Sequence, residues 1–253
     1  MIRVVKIGGR PQSDPQLPAL VASSLSADAQ LVLVHGGGDE ISALQSALGG
    51  STTFVGGRRV TTERDIDIVR MALSGSANKR LVAKLVDLGI KAVGVSGEDA
   101  GLIAAEALDV EQLGYVGAPR DINVDFLSYL LAGGYVPIVS PVSRDVNSEN
   151  GSALNVNGDD AAAALAVAMK AEELVLVADV EGVMSDGCVV SELSVEGAHR
   201  LIANGTANKG MRAKLEAALA AIAGGVARVR VSDINALSDA QRGTCLTAIG
   251  ELS

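Results

Sequence analysis

The sequence predicts an α/β protein in which an open, mainly parallel sheet lies between layers of helices, an αβα sandwich. Short β-branched runs alternate along the chain with Ala- and Leu-rich helical patterns, and this order is typical of βαβ units. The strand candidates are continuous apolar runs, as expected for strands that helices cover on both faces. Ligands of such sheets bind at the carboxyl ends of the strands.

Six segments are predicted strands, and they are residues 2–7, 31–34, 92–95, 136–139, 174–178 and 228–231. The helical pattern predicts helices over residues 17–25, 39–48, 63–88, 125–132, 160–169, 195–203 and 211–223. The long segment 63–88 is expected to break near Ser74 and Gly75, because these residues interrupt its apolar period.

Two glycine-punctuated stretches interrupt the alternation of strands and helices. Residues 54–61 (FVGGRRVT) and 105–118 suit β-hairpins that project from the sheet. Residues 143–158 form the most polar and turn-rich segment, which predicts a boundary between two lobes of one domain spanning 1–253. The expected lobes are about 1–150 and about 151–253.

Composition excludes several classes of protein. The 253 residues are 48% hydrophobic and 20% charged, with a mean hydropathy of +0.33, so the chain is not disordered. Aliphatic side chains must supply the core, because only 2% of residues are aromatic. The 21 basic and 30 acidic residues give a net charge of −9, which argues against nucleic acid or an anionic membrane surface as a partner.

The N-terminus and the cysteines predict a cytoplasmic protein with reduced thiols. Arg3 and Lys6 lie where a signal peptide would be apolar, and the longest apolar stretch, 161–169, is too short to cross a bilayer. Cys188 and Cys245 match no metal-binding spacing and no disulfide framework.

Two predicted strands run directly into glycine turns. The first strand leads through Lys6 to Gly8 and Gly9, and the second leads through His35 to the glycines 36–38 and a helix. Glycine lets backbone amides approach a ligand closely, and a helix N-terminus favours negative charge, so both turns suit phosphate or carboxylate oxygens. A single pair of glycines is usually a tight βα turn, but two at successive strands favour an anion site. The chain has neither a GxxxxGK[ST] loop nor a GxGxxG motif after a strand.

Residues 154–160 (LNVNGDD) precede a predicted helix and are unusually polar. An aspartate at this point is ordinarily a helix N-cap, but two asparagines and two aspartates exceed what one cap needs. A carboxylate in an anion site can hold two ammonium groups in position, and without them it would repel a phosphate. Lys6 and Lys214 are the candidate partners, although a helical lysine is usually solvated.

Nine sequence blocks together carry a resemblance to a known family. They are VVKIGG, VHGGG, FVGGRRVT, MALSGSANKRLVAKL, SGEDAGLI, GYVPIVSPV, LNVNGDDAAAALA, LVADVEGVMSDG and GMRAKLEAAL. In this order, over nearly the full length, the chain resembles the amino-acid kinase family and, within it, the branch that acts on N-acetylglutamate. The resemblance implies an αβα sandwich of amino-acid kinase type, with the amino-acid lobe first and the nucleotide lobe second.

The resemblance also implies an activity and a set of site residues. The activity is ATP-dependent phosphorylation of the side-chain carboxylate of N-acetyl-L-glutamate, which gives an acyl phosphate and ADP in arginine biosynthesis. Lys6 and Lys214 would stabilise the transferring phosphoryl group, and Asp159 would organise both lysines. Phosphates and substrate would be bound by the backbone amides of Gly8, Gly9, Gly36 and Gly37. The substrate carboxylates would be bound by Arg59 and Asn155. ATP would contact Asp179, Gly182 and Met184 of segment 179–184, together with Thr206, Asn208 and Gly210.

Three positions depart from the family pattern. Ala178 replaces a usual Thr or Ser, Asn208-Lys209-Gly210-Met211 stands where a GGM is common, and Asp39 follows the HGGG turn instead of the frequent Pro. Ala178 removes one possible hydroxyl contact, and the Asn208–Met211 segment affects contacts on the ADP side more than contacts with the phosphates. Asp39-Glu40 implies a difference of detail in the substrate lobe.

The implied reaction needs little from the two histidines. A carboxylate with a reference pKa near 4.3 is already ionised at pH 7, so no general base is required. His35 is expected either to touch a ligand or to pack at the edge of the site, and His199 is expected to be solvated. Mg²⁺ carried by ATP would supply positive charge, held mainly by phosphate oxygens and not by an all-protein site.

Several alternatives remain open at this stage. The substrate could instead be N-succinylglutamate, N-acetyl-2-aminoadipate or an aminoadipate group on a carrier protein, although only Arg58 and Arg59 supply a basic platform for a carrier. A non-catalytic amino-acid or nucleotide sensor is a second class, against which the joint presence of Lys6, Asp159 and Lys214 argues. A nicotinamide-dependent oxidoreductase is remote because its dinucleotide fingerprint is missing.

Arginine-inhibited members of the family carry an extra N-terminal helix, whereas five residues precede Lys6 here. The resemblance therefore implies a homodimer that arginine does not inhibit, with residues 63–88 contributing to the dimer surface.

Overall fold

The computed structural model describes residues 1–25, 29–185 and 187–247, with Lys209 by its backbone alone. The strands are β1 (Ile2–Ile7), β2 (Gln30–His35), β3 (Phe54–Val55), β4 (Arg58–Arg59), β5 (Ala92–Gly97), β6 (Ile103–Ala107), β7 (Val116–Ile122), β8 (Val136–Asp145), β9 (Ala153–Val156), β10 (Glu173–Val177), β11 (Met184–Ser185), β12 (Cys188–Val189), β13 (Glu192–Leu193), β14 (Arg228–Ser232) and β15 (Thr244–Thr247).

The α-helices are α1 (Leu17–Ser24), α2 (Gly38–Ala47), α3 (Glu63–Val69), α4 (Asn78–Val86), α5 (Val110–Leu113), α6 (Val124–Ala132), α7 (Gly158–Ala168), α8 (Val195–Ala203) and α9 (Lys209–Ala223). A π-helical segment, Arg70–Ala77, joins α3 to α4, and short 3₁₀ turns span Arg10–Ser13, Asp99–Gly101 and Ile234–Leu237.

The main sheet has the strand order β13-β15-β14-β10-β1-β2-β8-β6-β7-β9, with β5 paired to β8. Its centre is parallel, because β1 pairs in parallel with both β10 and β2. Lys6 lies opposite Leu176 on one side and Val34 on the other. The carboxyl ends of these three strands therefore meet at one edge of the sheet, where a ligand of such a sheet is expected.

Both faces of the central strands are buried, which explains their continuous apolar sequences. Val4 of β1 packs in a core cluster with residues of α6, α7 and α9. Its neighbour Val5 packs on the opposite face with Leu17 and Val21 of α1 and with residues of α4. Successive side chains of a strand point to opposite faces, so every residue of β1 from Val4 onward is buried. The αβα sandwich predicted from the sequence is confirmed.

The α-helix predicted over residues 63–88 is interrupted near Ser74 and Gly75, as expected, but by a π-helical segment and not by an end of the helix. Helical dihedral angles continue through Val69, Arg70 and Asn78, and the backbone amide of Asn78 reaches back five residues to the carbonyl of Leu73. The chain thus absorbs Ser74 and Gly75 in a π-helical turn without leaving the helix. The hydroxyl oxygen of Ser74 lies 2.7 Å from that of Ser140 on β8, which ties the turn to the sheet.

The two predicted hairpins have different outcomes. Residues 54–61 do form a separate antiparallel hairpin, β3–β4, which turns at Gly56 and Gly57 with φ angles of 55° and 80°. The strands β6 and β7 of the stretch 105–118 are antiparallel as predicted, but they do not project from the sheet. Their backbones pair with β8 and β9, which makes them part of the main sheet.

Two further findings concern the chain as described. No helix within the described residues is long and apolar enough to cross a membrane. Cys188 and Cys245 are free thiols, as predicted.

Candidate active site

Three charged side chains from distant parts of the sequence meet at the carboxyl edge of the sheet. The Lys6 ammonium at the end of β1 lies 2.9 Å from Oδ1 of Asp159, which stands in the first turn of α7. The Lys214 ammonium on α9 lies 3.0 Å from Oδ2 and 3.2 Å from Oδ1 of the same carboxylate. The structure therefore brings Lys6, Asp159 and Lys214 together as one charge cluster.

The start of α7 explains how Asp159 comes to face the lysines. Asn157 is the N-cap, and its Oδ1 accepts the backbone N–H of Asp159 at 2.8 Å. The cap role therefore falls to Asn157, and both carboxylate oxygens of Asp159 remain available for ammonium groups. Because Asn157 caps the helix and Asp159 binds the lysines, the segment needs more polar residues than a helix cap alone.

Gly158 is a site residue that sequence reasoning missed. A β-carbon built on Gly158 would lie 3.1 Å from Cε of Lys6, so a larger residue would crowd the lysine that reaches Asp159. The signal was available, because Gly158 stands in the first helical turn, where no left-handed turn demands a glycine.

Burial and charge act on the cluster in opposite directions. Burial alone would raise the pKa of Asp159, which is only 4% exposed, but the two lysines outweigh it and hold that pKa below its ordinary value. Burial, together with repulsion from Lys6, lowers the pKa of Lys214 despite the attraction of Asp159. The cluster carries two ammonium groups and one carboxylate, so it retains an excess of positive charge for an anionic ligand.

The two predicted glycine turns lie against each other beside this cluster. The backbone amide of Gly8 donates to the carbonyl of Val177 at 3.1 Å, and that of Gly36 donates to the carbonyl of Ile7 at 3.0 Å. A β-carbon on Gly36 would lie 3.7 Å from the backbone nitrogen of Gly9. The side-chain amide of Gln12 further joins the turns by donating to the Gly36 carbonyl at 2.8 Å.

Two cavities meet at Lys6. The first, of about 360 Å³, is lined by Lys6, Gly36, Gly37, Arg58, Arg59, Asn155 and Asp159, among others. The second, of about 660 Å³, is lined by Lys6, Gly8, Gly9, Asp179, Asn208, Gly210 and Lys214, among others. Lys6 borders both cavities, so a ligand in one could pass a group to a ligand in the other beside its ammonium group.

Arg59 lines the first cavity and is held by protein groups. Its Nη1 donates to Gln45 at 2.7 Å and to Thr52 at 3.0 Å, while Nη2 donates to the Gly38 carbonyl and to Ser42. Burial lowers the pKa of Arg59, against the raising effects of Asp65 and Asp39. The guanidinium is therefore fixed in position before any substrate binds.

Asn155 reaches the same cavity from the last strand of the sheet. Its side-chain amide donates to the hydroxyl of Thr61 at 3.0 Å, and Thr61 lies just after β4. Asn155 and Arg59 thus approach the first cavity from different elements.

Residues predicted to contact ATP fall into two groups. Gly8, Gly9, Asp179, Asn208 and Gly210 line the second cavity. By contrast, Gly182, Met184 and Thr206 are not among the described residues that line it. Gly182 is instead packed, since a β-carbon there would lie 2.6 Å from Val189, whereas Met184 and Thr206 are exposed.

His35 packs beneath the glycine turn in a fully buried position. Its Nδ1 lies 2.9 Å from the Gly36 carbonyl, and its Nε2 lies 3.1 Å from the side-chain amide nitrogen of Asn78. Burial lowers the pKa of His35 to about 4. His35 is therefore a neutral structural group that donates through Nδ1 and accepts through Nε2, and His199 is exposed.

Buried positive charge at the junction of two cavities suits the transfer of a phosphoryl group between two anionic ligands, so the site is that expected of a phosphotransferase. Residues 1–233 match the amino acid kinase family, and the chain belongs to that family.

Individual relatives agree with this assignment. The chain is 40% identical over 230 residues to the acetylglutamate kinase of Geobacillus kaustophilus, covering 90% of this chain and 88% of that one. It is 42% identical over 255 residues to the acetylglutamate kinase of Chloroflexus aurantiacus, covering 100% and 98%. Among solved structures, smu.665 from Streptococcus mutans matches with a TM-score of 0.89 and 30% identity, covering 98% of this chain and 99% of that one.

Proposed function

We propose that the protein is an ATP-dependent kinase that phosphorylates the side-chain carboxylate of N-acetyl-L-glutamate, producing an acyl phosphate and ADP for arginine biosynthesis. The observation that carries this proposal is the Lys6–Asp159–Lys214 cluster at the junction of two cavities. Relatives about 40% identical over nearly the whole chain are acetylglutamate kinases, which supports the choice of substrate.

The amino-acid substrate occupies the first cavity and ATP occupies the second. Arg59 and Asn155 bind carboxylates of the substrate, and its reacting carboxylate points toward Lys6. The amide of Gly37 contacts the group in transfer, and that of Gly9 contacts the phosphates of ATP. Gly8 and Gly36 shape the two turns, because their own amides already donate to backbone carbonyls. Asp179, Asn208 and Gly210 line the second cavity and contact ATP there. The predicted ATP contacts of Gly182, Met184 and Thr206 would lie outside the lining of that cavity.

The two lysines stabilise charge that develops on the phosphoryl group during transfer. Lys214 lines the second cavity, so it acts from the nucleotide side, while Lys6 bridges both ligands. Asp159 fixes the position of both ammonium groups and does not itself take a proton from the substrate. The acceptor carboxylate is ionised at neutral pH, so alignment and charge neutralisation suffice.

Mg²⁺ bound to ATP would neutralise further phosphate charge. Both oxygens of Asp159 are engaged by lysines, and the carboxylates among the described residues that line the second cavity are Asp39 and Asp179. One or two carboxylates together with phosphate oxygens is a common arrangement for Mg²⁺. These residues therefore fit an ion held mainly by the phosphates.

A hydroxylamine assay tests the proposed reaction. The protein is incubated with ATP, Mg²⁺ and N-acetyl-L-glutamate, and the acyl phosphate is trapped as a hydroxamate. Parallel incubations contain N-succinylglutamate and N-acetyl-2-aminoadipate. The fastest hydroxamate formation is expected with N-acetyl-L-glutamate. Faster turnover of another substrate would overturn the substrate assignment, and ligand binding without any hydroxamate would indicate a sensor.

Two organisational proposals accompany this function. Residues of about 1–150 form the amino-acid lobe and residues of about 151–253 the nucleotide lobe, in a protein of the cytoplasm.

The protein is a homodimer that uses residues 63–88, a region in which Met71, Val86 and Leu88 are exposed apolar side chains. Light scattering of the purified protein tests the dimer, and a monomeric mass would overturn it.

A further inference from the structure

The β3–β4 hairpin borders the first cavity but has little structure of its own. Each strand contains two residues, and an isolated two-stranded hairpin is at best marginally stable. Phe54 and Val55 are exposed, and β-carbons built on Gly56 and Gly57 would have no heavy atom within 4 Å. The base of the hairpin is held by backbone hydrogen bonds of Thr61 to Leu113 and Tyr115, and the position of its outer part depends on the contacts of its two arginines.

The two arginines of β4 are anchored in opposite directions. Arg59 is bound to groups of α2 and of the loop that follows it. Arg58 reaches α7 instead, where its Nη2 lies 2.9 Å from Oδ2 of Asp160. This ion pair spans 102 positions of sequence and joins the hairpin to the helix that carries Asp159.

The Arg58–Asp160 pair lies where solvent screens it only partly. Its side chains are 31% and 23% exposed, in contrast to a fully solvated ion pair, which contributes little. Burial raises the pKa of Asp160 despite the opposing effect of Arg58. The Arg58 guanidinium therefore favours the charged form of Asp160. The Nη1 of Arg58 is buried without a hydrogen-bond partner among the described residues, so the ion pair through Nη2 is the contact that fixes this side chain.

We propose that Arg58 is a positioning residue for the amino-acid substrate. Its ion pair with Asp160 holds the hairpin against α7, so the hairpin stays closed over the substrate in the first cavity. This inference rests on the proposed function for its kinetic test, while the state of the hairpin itself can be measured without turnover.

The kinetic test uses Arg58→Ala and Asp160→Asn, which change the local charge in opposite directions. If the pair positions the hairpin, each variant raises KM for N-acetyl-L-glutamate by about tenfold, with little change in kcat or in KM for ATP. The double variant is then no worse than either single variant, because both remove the same interaction. If Arg58 acted only as a positive charge on an anionic substrate, Asp160→Asn would lower KM, and that result would overturn the proposal.

Arg120→Ala is the matched control. It also removes one arginine from an ion pair, with Glu106, but at an exposed position on β7. We expect its KM values to stay within about twofold of the unmodified protein. A rise like that of Arg58→Ala would show that loss of any arginine is sufficient and would overturn the proposal.

Hydrogen–deuterium exchange of the ligand-free protein provides the second readout. The backbone amide of Val60 donates to the Thr53 carbonyl at 3.0 Å, so residues 53–60 report on hairpin order. We expect faster exchange of this segment in Arg58→Ala and in Asp160→Asn, with unchanged exchange in β1 and β2. Unchanged exchange at 53–60 would overturn the proposal. Absence of hydroxamate in the unmodified protein would overturn only the proposed function.

Discussion

Asp159 holds two ammonium groups within 3.2 Å although its side chain is almost completely buried. A buried carboxylate on its own would be neutralised by a proton. The lysines prevent this, as the lowered pKa of Asp159 indicates. At the scale of single residues, the site is therefore a set of charges that depend on one another.

The first prediction concerns the two lysines. Lys6→Ala and Lys214→Ala are each expected to lower kcat by about a hundredfold or more, with a much smaller rise in KM, because both act on charge that develops in the transition state. Steady-state hydroxamate assays measure both constants. Lys91→Ala, which removes an exposed lysine, is the control. Near-normal kcat in either site variant would contradict the assigned role.

The second prediction concerns Arg59. Arg59→Ala is expected to raise KM for the amino-acid substrate and also to lower thermal stability, because the change removes four hydrogen bonds from a buried network, those to Gln45, Thr52, Ser42 and the Gly38 carbonyl. The stability loss should be about 1–3 kcal/mol in denaturant unfolding. Arg59→Lys keeps the charge but not the planar fork, so it should recover only part of both losses. An unchanged KM in Arg59→Ala would exclude Arg59 from substrate binding.

At the scale of elements, the glycine turn after β2 packs directly on the π-helical segment. Gly37 has a φ angle of 157°, and a β-carbon there would lie 2.5 Å from Cδ2 of Leu73. The glycine turn after β2 therefore packs tightly against the π-helical segment that carries Leu73. A small change in either should move the backbone amides that face the first cavity.

The third prediction tests this fit. Gly37→Ala is expected to lower kcat/KM by about tenfold, because the added methyl group displaces the turn. Gly37→Ala combined with Leu73→Ala should recover part of the loss, since it removes the steric clash but not the unfavourable φ angle. The Leu73→Ala single variant is the control for the cavity it creates. No recovery in the double variant would mean that contact with Leu73 is unimportant.

The hairpin β3–β4 and the helix α7 show which features of an element can be predicted from its own sequence. The turn chemistry of Gly56 and Gly57 predicts the hairpin, and the polar segment 154–160 predicts a helix start with spare polar groups. Neither pattern contains the Arg58–Asp160 contact, because the partners lie 102 positions apart. The Arg59 network with Gln45 and Thr52 is likewise a product of packing between elements.

At the scale of the whole molecule, the buried histidine couples stability to pH. The pKa of His35 is lowered to about 4 from its ordinary 6.5. Between these values the unfolded chain binds a proton that the folded chain does not. Protonation would place an N–H at Nε2 against the donating amide of Asn78. The contribution of the neutral His35 to folding stability is therefore fully present above pH 6.5 and is lost as the pH falls toward 4.

The fourth prediction gives the size of this effect. Between pH 6.5 and about 4.5 the free energy of unfolding should fall by up to about 1.4 kcal/mol per pH unit. Urea unfolding at a series of pH values measures the slope. His35→Gln should reduce the slope in this window, whereas His199→Gln, at an exposed position, should retain it. Equal slopes in the two variants would show that His35 is not the group responsible.

The interruption between α3 and α4 shows what a local pattern predicts and what it leaves open. Ser74 and Gly75 are ordinary helix-breaking signals, yet the chain continues through them as a π-helix. The hydroxyl contact between Ser74 and Ser140, on a strand far away in sequence, accompanies this turn. Tertiary contacts of this kind outweigh local propensity. The same reason explains why stretch 105–118 joins the main sheet.

The sequence by itself determines the αβα class, the glycine turns after β1 and β2, and the charged residues available for a phosphate site, because each depends on local periodicity or residue chemistry. Only the tertiary structure decides which of these residues meet. The strand order places β1 between β10 and β2, and this order carries Lys6 to Asp159 and Lys214. Pairing of distant strands depends on the packing of the whole core, so the distances within the site are a property of the fold.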